Sequence, residues 1–182
     1  AGTLDPFATG LLIILLGDAC KRADEFLKLD KTYEFTATLG KTSTTGDPEG
    51  EITVSSEQRA VSKEQVEAVL GQFKGEIEQV PPIYSAIKID GKRAYKLARE
   101  GKTVEMPSRQ VRIDRLELVA YEYPYLKGVC DVSSGTYIRT LVEDIGKALG
   151  TGAYCSQLRR TKIDTKHVKD AQTIDNIDTD ML

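Results

Sequence analysis

The segment Gly2-Thr3-Leu4-Asp5-Pro6-Phe7-Ala8-Thr9-Gly10-Leu11-Leu12 stands near the start of this 182-residue chain. Small residues lie on both sides of Asp5, so another stretch of backbone can approach closely. Pro6 cannot continue a regular hydrogen-bonded ladder, which favours a loop here. A carboxylate held in such a loop can serve as a nucleophile, whereas the ordinary interpretation is a turn-forming aspartate. The local sequence leaves both interpretations open.

Outward from this segment, the first fifty residues predict a strand, a helix, a strand and a loop. The apolar run Leu11–Leu16 is bounded by glycines and predicts a buried strand. Asp18 is expected to cap a helix that runs to about Leu29. Alternation along Thr32–Leu39 predicts a half-buried strand, and residues 40–50, rich in Thr, Ser, Gly, Asp and Pro, predict a loop.

The rest of the chain continues to mix the two kinds of element. A helix is predicted from Ser62 to Leu70, with Gln65 completing a capping box. Further strands are predicted at about residues 51–54, 83–89, 109–123, 127–132 and 153–163, and further helices at about 93–100, 136–149 and 171–177. Because no regular βαβ rhythm appears, we expect one α+β domain built on a mixed, largely antiparallel sheet flanked by helices and loops.

Composition narrows the classes of protein and of site. Apolar residues make up 40% of the chain and charged residues 29%, as in globular proteins, and the longest apolar run has six residues. No secretory signal opens the chain, so we expect a cytoplasmic protein with no membrane association. The three cysteines lack C-x-x-C spacing, and buried free thiols are expected. His167 is the only histidine and is expected on the surface, which disfavours histidine-based catalysis.

Charge is distributed unevenly along the chain. The net charge is −3, which taken alone opposes nucleic-acid binding. Residues 84–118, however, carry 9 basic and 5 acidic side chains, and residues 155–170 carry 5 basic and 2 acidic. These two segments permit a positive face for a polyanion, although solvated surface charge is the ordinary explanation of such clusters.

A second candidate site residue is Arg139, which follows the loop Ser133-Ser134-Gly135-Thr136-Tyr137 into a predicted helix. An arginine there can pair with a buried carboxylate and keep it ionised. The alternative is a surface arginine in an i, i+4 ion pair with Glu143. Tyrosines that stand near basic residues can stack on nucleic-acid bases, although tyrosines on half-buried strands more often belong to the core.

Taken together, five segments resemble the TruB family of pseudouridine synthases over nearly the whole chain. The segment around Asp5 resembles the family's active-site motif. The other four follow in the family's order: Lys31-Thr32-Tyr33, Pro82-Ile83-Tyr84-Ser85-Ala86-Ile87-Lys88, Ser134-Gly135-Thr136-Tyr137-Ile138-Arg139-Thr140-Leu141 and Gln157-Leu158-Arg159-Arg160. The resemblance implies a pseudouridine synthase fold and an isomerase that converts the T-loop uridine of tRNA, position 55, to pseudouridine.

The resemblance also implies roles for particular residues. Asp5 matches the nucleophilic aspartate, Tyr33 the tyrosine that stacks on the target base and is implicated in proton abstraction, and Arg139 the arginine that pairs with the catalytic carboxylate. The residues expected to bind substrate are Tyr137, Leu158, Tyr84 and Lys88. No cofactor and no metal are implied. The expected partner is the T-arm of tRNA, bound by a monomer without a guide RNA.

Two departures from the family pattern concern the ends of the chain. The family motif has a histidine immediately before the position of Ala1, so we expect residues 1–182 to be an N-terminally truncated catalytic domain. A full C-terminal RNA-binding module is not expected after Lys169. Two alternative functions remain: a guide-RNA-dependent synthase of the archaeal and eukaryotic branch, and a non-catalytic protein that binds or folds tRNA. Tolerance of Asp5→Asn would identify the latter.

Overall fold

The fold centres on a twisted sheet in which most neighbouring strands are antiparallel. The structure is a computed structural model and describes residues 1–55, 60–85, 87–89, 91–101 and 105–176. The strands are β1 (Thr9–Gly10), β2 (Lys31–Leu39), β3 (Lys41–Ser43), β4 (Ile52–Val54), β5 (Gly75–Gln79), β6 (Lys88–Ile89), β7 (Lys92–Arg93), β8 (Arg109–Glu122), β9 (Tyr125–Val132), β10 (Ala153–Ile163) and β11 (Lys166–His167). The α-helices are α1 (Ala23–Leu27), α2 (Lys63–Gln72), α3 (Ala94–Arg99) and α4 (Ile138–Ala148).

Seven strands among the described residues form the main sheet, in the order β1-β10-β2-β9-β8-β5, with β11 also paired to β10. The β1–β10 pair is parallel and the others are antiparallel. The strands β3 and β4 form one separate hairpin, and β6 and β7 form another. This is the α+β fold class, with the mixed sheet, that the sequence predicts.

The core lies between one face of the sheet and helices α2 and α4. Alternate residues of β2, from Tyr33 to Leu39, point into it, as period-2 alternation requires. The apolar stripe of α4 covers them with Ile138, Leu141, Val142 and Ile145. The capping box of α2 is present, since Ser62 and Gln65 each bond to the other's backbone N–H. No described helix has the length and apolarity to cross a bilayer.

The predicted strand at Leu11–Leu16 is wrong. Pairing along β1 stops at Gly10, after which the Leu11 N–H bonds to the Arg160 carbonyl. The same outer edge of β10 is occupied by β11 from Lys162 onward, so no ladder is left for the run to join. Consequently Leu12, Ile14 and Leu16 are exposed rather than buried.

Three other predictions need correction. The helix expected from Asp18 to Leu29 is a 3₁₀ segment over Gly17–Arg22 and an α-helix only over Ala23–Leu27. Asp18 lies inside the 3₁₀ segment, where it pairs with Lys21 and caps no backbone N–H. Cys20, on that segment, is exposed, whereas Cys130 and Cys155 are buried. The terminal helix expected at residues 171–177 is a 3₁₀ turn at 174–176, and residue 177 lies outside the described residues.

The predicted strand at residues 83–89 is also wrong over most of its length. Among the described residues of this range only β6 forms a strand, and the backbone bends at residues 83–85. The bend has a physical cause, since the Tyr84 carbonyl accepts a hydrogen bond from Arg139 and the Ser85 carbonyl accepts one from the Tyr95 N–H. Because these carbonyls already accept hydrogen bonds from Arg139 and Tyr95, they cannot pair with a neighbouring strand.

Candidate active site

Asp5 lies in a loop that leads into β1. The turn is closed by a hydrogen bond of 2.9 Å from the Ala8 N–H to the Asp5 carbonyl. The backbone at Gly2 has φ of +77°, a conformation that glycine adopts at little cost. The Asp5 side chain is 32% exposed, so its carboxylate is reachable from outside while still held by the protein.

Arg139 holds that carboxylate from the first turn of α4. Its Nε lies 2.9 Å from Oδ2 of Asp5, and its Nη2 donates to Oδ1 at 3.1 Å. The same guanidinium donates to the carbonyls of Thr45 at 2.7 Å and Tyr84 at 2.9 Å. Arg139 is only 3% exposed and has no ion pair with Glu143 in the described structure, so it is not the surface arginine of the alternative interpretation.

A second carboxylate, Asp47, completes the network. Its Oδ2 lies 3.1 Å from Arg139 Nη1, and its Oδ1 accepts hydrogen bonds from the Thr45 hydroxyl and the Glu49 N–H. The turn between β3 and β4 buries Asp47 to 3% exposure. Sequence reasoning treated this turn as an ordinary loop and missed the residue. The only local signal is an aspartate followed by proline within a glycine-bounded turn.

The electrostatic balance at Asp5 follows from these neighbours. Burial raises the pKa of Asp5 above its ordinary value of 3.8, Arg139 lowers it, and the negative charge of Asp47 raises it further. The net shift is upward. One arginine therefore holds two carboxylates, and the carboxylate of Asp5 is partly desolvated, which makes it a better nucleophile than a hydrated one.

Tyr33 reaches the site from β2. Burial raises its pKa, while the charge of Arg160 and a hydrogen bond from it lower the pKa. The charge of Asp5 also acts on the pKa of Tyr33, which places both groups in one electrostatic environment. Tyr33 stands opposite Arg160 in the β2–β10 register. The sequence predicted Tyr33 as a site residue, and the structure brings it beside the Asp5 loop.

Arg160 ties that loop to the sheet. It is 1% exposed, and it donates from Nε to the Leu11 carbonyl at 2.8 Å and from Nη2 to the Gly2 carbonyl at 2.9 Å. Arg160 is thus hydrogen-bonded to both ends of the segment that carries Asp5. In the sequence, Arg160 is distinguished only as the last residue of the motif Gln157-Leu158-Arg159-Arg160. Its role could not be predicted from the local sequence, because its hydrogen-bond partners lie 149 and 158 residues away.

Of the residues expected to bind substrate, Tyr137 is the best positioned. It is half-buried at the start of α4, and Gln79 of β5 clamps its backbone with two hydrogen bonds, of 2.8 and 3.1 Å. Leu158 is buried in the core cluster that also contains Tyr33. Tyr84 is 37% exposed and contributes its carbonyl to Arg139. The side chain of Lys88 lies outside what the structure describes.

Two hollows of the described surface lie on the sheet, and the second borders the candidate site, since Phe7, Thr9 and Leu158 line it. Their volumes are about 640 and 710 Å³, and they share Thr36, Lys127, Ser156 and Gln157 on the sheet. Neither is lined by Asp5 or Arg139. Among the described residues no cluster of His, Cys, Asp and Glu side chains is arranged to hold a metal ion. The feature that defines the candidate site is its ion network, in which Arg139 contacts both Asp5 and Asp47.

Comparison with known families gives two matches that together cover the chain. Residues 1–138 match the model "TruB family pseudouridylate synthase (N terminal domain)", and residues 139–182 match "tRNA pseudouridylate synthase B C-terminal domain". The boundary falls within the first turn of α4, and β10 from the second region pairs with β2 from the first. The two matched regions therefore share one sheet.

Individual relatives agree with these matches. The chain is 53% identical over 161 residues to tRNA pseudouridine synthase B of Pseudomonas fluorescens, which covers 88% of the chain and 52% of that relative. It is 49% identical over 181 residues to the protein of that name from Cupriavidus metallidurans, covering 97% and 57%. The chain spans about half the length of the curated relatives it matches.

A solved structure, that of a Cbf5-Nop10-Gar1 complex, contains a similar fold. The TM-score is 0.66 and the identity 29%, over 89% of this chain and 39% of that one. A chain of an archaeal box H/ACA sRNP Nop10-Cbf5 complex gives a TM-score of 0.61 at 25% identity, over 90% of this chain and 37% of that one. The sheet and helices described above are thus those of this group of proteins.

Proposed function

The chain belongs to the TruB family of pseudouridylate synthases, and from that premise we propose that it isomerises the T-loop uridine of tRNA, position 55, to pseudouridine. The observation that carries the proposal is the contact between Asp5 and the buried guanidinium of Arg139. A carboxylate that is held in two contacts and remains 32% exposed is oriented and reachable. These are the properties a nucleophile requires.

The reaction breaks the N1–C1′ bond of uridine and forms a C5–C1′ bond; a base removes the C5 proton, and N1 gains a proton, so that product and substrate are isomers. We assign the nucleophilic role to Asp5. Arg139 orients its carboxylate and favours the ionised form, which opposes the effect of burial on the pKa of Asp5. Tyr33 is the residue we assign to stacking on the base and to handling the proton. Every chemical role falls on a side chain of this chain, so no cofactor or metal is needed.

A uridine inside a folded tRNA loop must leave its stack before its glycosidic bond can be reached. Extrusion costs about a few kcal/mol, which contacts with the phosphates and with aromatic side chains can offset. Tyr137 and Leu158 are the residues we assign to the pocket wall, and Tyr84 and Lys88 to substrate contacts. Two observations support these assignments: Tyr137 lies two residues before Arg139 with its backbone held by Gln79, and the Tyr84 carbonyl accepts a hydrogen bond from Arg139.

We further propose that residues 1–182 form one catalytic domain that acts on the T-arm as a cytoplasmic monomer without a guide RNA. The continuous sheet across both matched regions supports one domain. The identity of 53% to an enzyme named for tRNA, against 29% to a chain of the Cbf5 complex, favours the tRNA enzyme over the guide-dependent alternative.

The test is release of tritium from C5-labelled uridine in a T-arm RNA. The chain should be assayed alone and as a chimera in which it replaces the matching region of a full-length relative. Asp5→Asn is the decisive variant, and Asp18→Asn is the matched control because Asp18 lies on the surface. We expect release by the parent and by Asp18→Asn, and none by Asp5→Asn. Equal release by Asp5→Asn would exclude Asp5 as nucleophile, and RNA binding without release by any protein would favour the non-catalytic alternative.

A further inference from the structure

Arg109, the first residue of β8, has guanidinium nitrogens that nothing in the described chain satisfies. Its Nε and Nη2 are buried, and neither has a hydrogen-bond partner among the described residues. Arg139 also has a buried Nε without a hydrogen bond, but that Nε lies 2.9 Å from the Asp5 carboxylate, and the other Arg139 nitrogens donate to carboxylates and carbonyls. Arg160 donates to carbonyls, and Arg115 donates to Asp131. Buried donors of a charged group are costly to leave unpaired, so such a group calls for an acceptor.

The surroundings of Arg109 hold its guanidinium in place without neutralising it. The guanidinium carbon lies 5.1 Å from the centre of the Tyr137 ring, a cation–π distance. Gln79 faces Arg109 in the β5–β8 register but uses its amide on the Tyr137 backbone. The neighbouring carboxylate of Glu78 accepts a hydrogen bond from the Ser108 hydroxyl. The cation is thus oriented, and no acid pairs with it in the described structure.

The loop before α4 comes close to this cation at Gly135. Gly135 has φ of +83°, and a Cβ at this position would lie 3.1 Å from Arg109 Nη1. A larger residue would therefore crowd the nitrogen as well as strain the backbone. Two residues after Tyr137 comes Arg139, which holds Asp5. Arg109 consequently lies at the border of the candidate active site, and the missing side chain of Gly135 leaves its Nη1 uncrowded by a Cβ.

We propose that Arg109 binds a backbone phosphate of the RNA strand that carries the target uridine. The inference rests on the proposed function, because that function brings an anionic strand to this border. A phosphate that enters past Gly135 would give the guanidinium the charged acceptor it lacks, and arginine matches phosphate geometry with paired N–H donors. The ring of Tyr137, 5.1 Å from the guanidinium carbon, helps to hold the donors in place for that contact.

The first test is the salt dependence of RNA affinity. Arg109→Gln and Arg109→Lys should be compared with the parent and with Arg112→Gln. Arg112 is a matched control because it lies on the same strand, is exposed, and already pairs with Asp30 and Asp114. For Arg109→Gln we expect about tenfold weaker binding or more, and a slope of log affinity against log salt that is smaller by about 0.7 to 0.9, the value for one phosphate. Arg109→Lys should retain the slope, and Arg112→Gln should change neither quantity.

The second test locates the phosphate. T-arm RNAs with a single neutral methylphosphonate linkage should be bound to the parent and to Arg109→Gln. At one position the neutral linkage should weaken RNA binding by the parent and leave RNA binding by Arg109→Gln unchanged, because that variant has already lost the contact. If Arg109→Gln unfolds, the scan on the parent and on Arg109→Lys decides: a linkage that weakens the parent more than Arg109→Lys supports the site.

The inference would be overturned if each neutral linkage weakened RNA binding equally in the parent and the variants. It would also be overturned if Arg109→Gln kept the salt slope of the parent and only turned over more slowly at saturating RNA. Arg109 would then only support Tyr137. Tritium release separates this failure from failure of the proposed function. If the parent releases tritium but no linkage distinguishes it from the Arg109 variants, only the inference about Arg109 is refuted. If one linkage does distinguish them and no protein releases tritium, the synthase proposal is refuted and the phosphate site stands.

Discussion

Asp47→Asn is the sharpest perturbation of the arginine network. In the parent, Asp47 accepts from Arg139 through Oδ2 and from the Thr45 hydroxyl and the Glu49 N–H through Oδ1. Asparagine offers one acceptor oxygen, so its NH₂ group must face either Arg139 or the turn, donor against donor. Because the pair is buried, we expect a loss of about 3 kcal/mol in the free energy of unfolding. For a chain of this size that corresponds to a fall of about 6–12 °C in Tm.

Catalysis should suffer as well, because Arg139 orients Asp5. A displacement of a catalytic group by about 1 Å can cost about 100-fold in rate, and we expect a decrease of that order in tritium release at saturating RNA. The control is Asp114→Asn, whose carboxylate is 47% exposed and pairs with Arg112 at 2.7 Å. Such surface pairs contribute about 0–1 kcal/mol. An Asp47→Asn protein with the Tm and rate of the control would refute the claim that Asp47 supports the site.

Three further predictions follow from single contacts. Gln79→Glu replaces the amide that donates to the Tyr137 carbonyl with a buried carboxylate, so thermal unfolding should show a loss of about 2 kcal/mol or more; an unchanged Tm would mean that the clamp contributes nothing. Gly10→Ala would place a Cβ 2.2 Å from a backbone oxygen of β10, and we expect little folded protein by circular dichroism; a parent-like spectrum would contradict the close approach. Burial raises the pKa of Asp5, so if its ionised form attacks, the acid limb of the rate–pH profile should have its midpoint above 3.8; a midpoint at or below 3.8 would contradict this.

Elements whose boundaries depend on neighbouring residues could be predicted from the sequence. The capping box of Ser62 and Gln65 marked the start of α2, and a strand was predicted at residues 153–163, the bounds that β10 has in the structure. Where an element depends on distant partners, the local pattern misled. The run Leu11–Leu16 has the composition of a buried strand, but whether it pairs is decided by β11, more than 150 residues later.

The candidate site shows the same division. Asp5 and Arg139 were singled out by motif resemblance, since a turn aspartate and a helical arginine are ordinary in themselves. Asp47 and Gln79 carried no such mark. Each acts through a partner far along the chain, 92 residues away for Asp47 and 58 for Gln79. Nothing in the short segment around either residue encodes that distance.

The position of β10 inside the sheet also affects how the protein is made. β2 forms early in synthesis, yet its second neighbour is about 120 residues further along the chain. A nascent chain that has emerged only to the end of β9 can pair β2 on one side and leaves the other edge bare. Bare strand edges recruit other chains. Premature termination or proteolysis between residues 133 and 152 would therefore yield an aggregation-prone open sheet instead of a smaller stable domain.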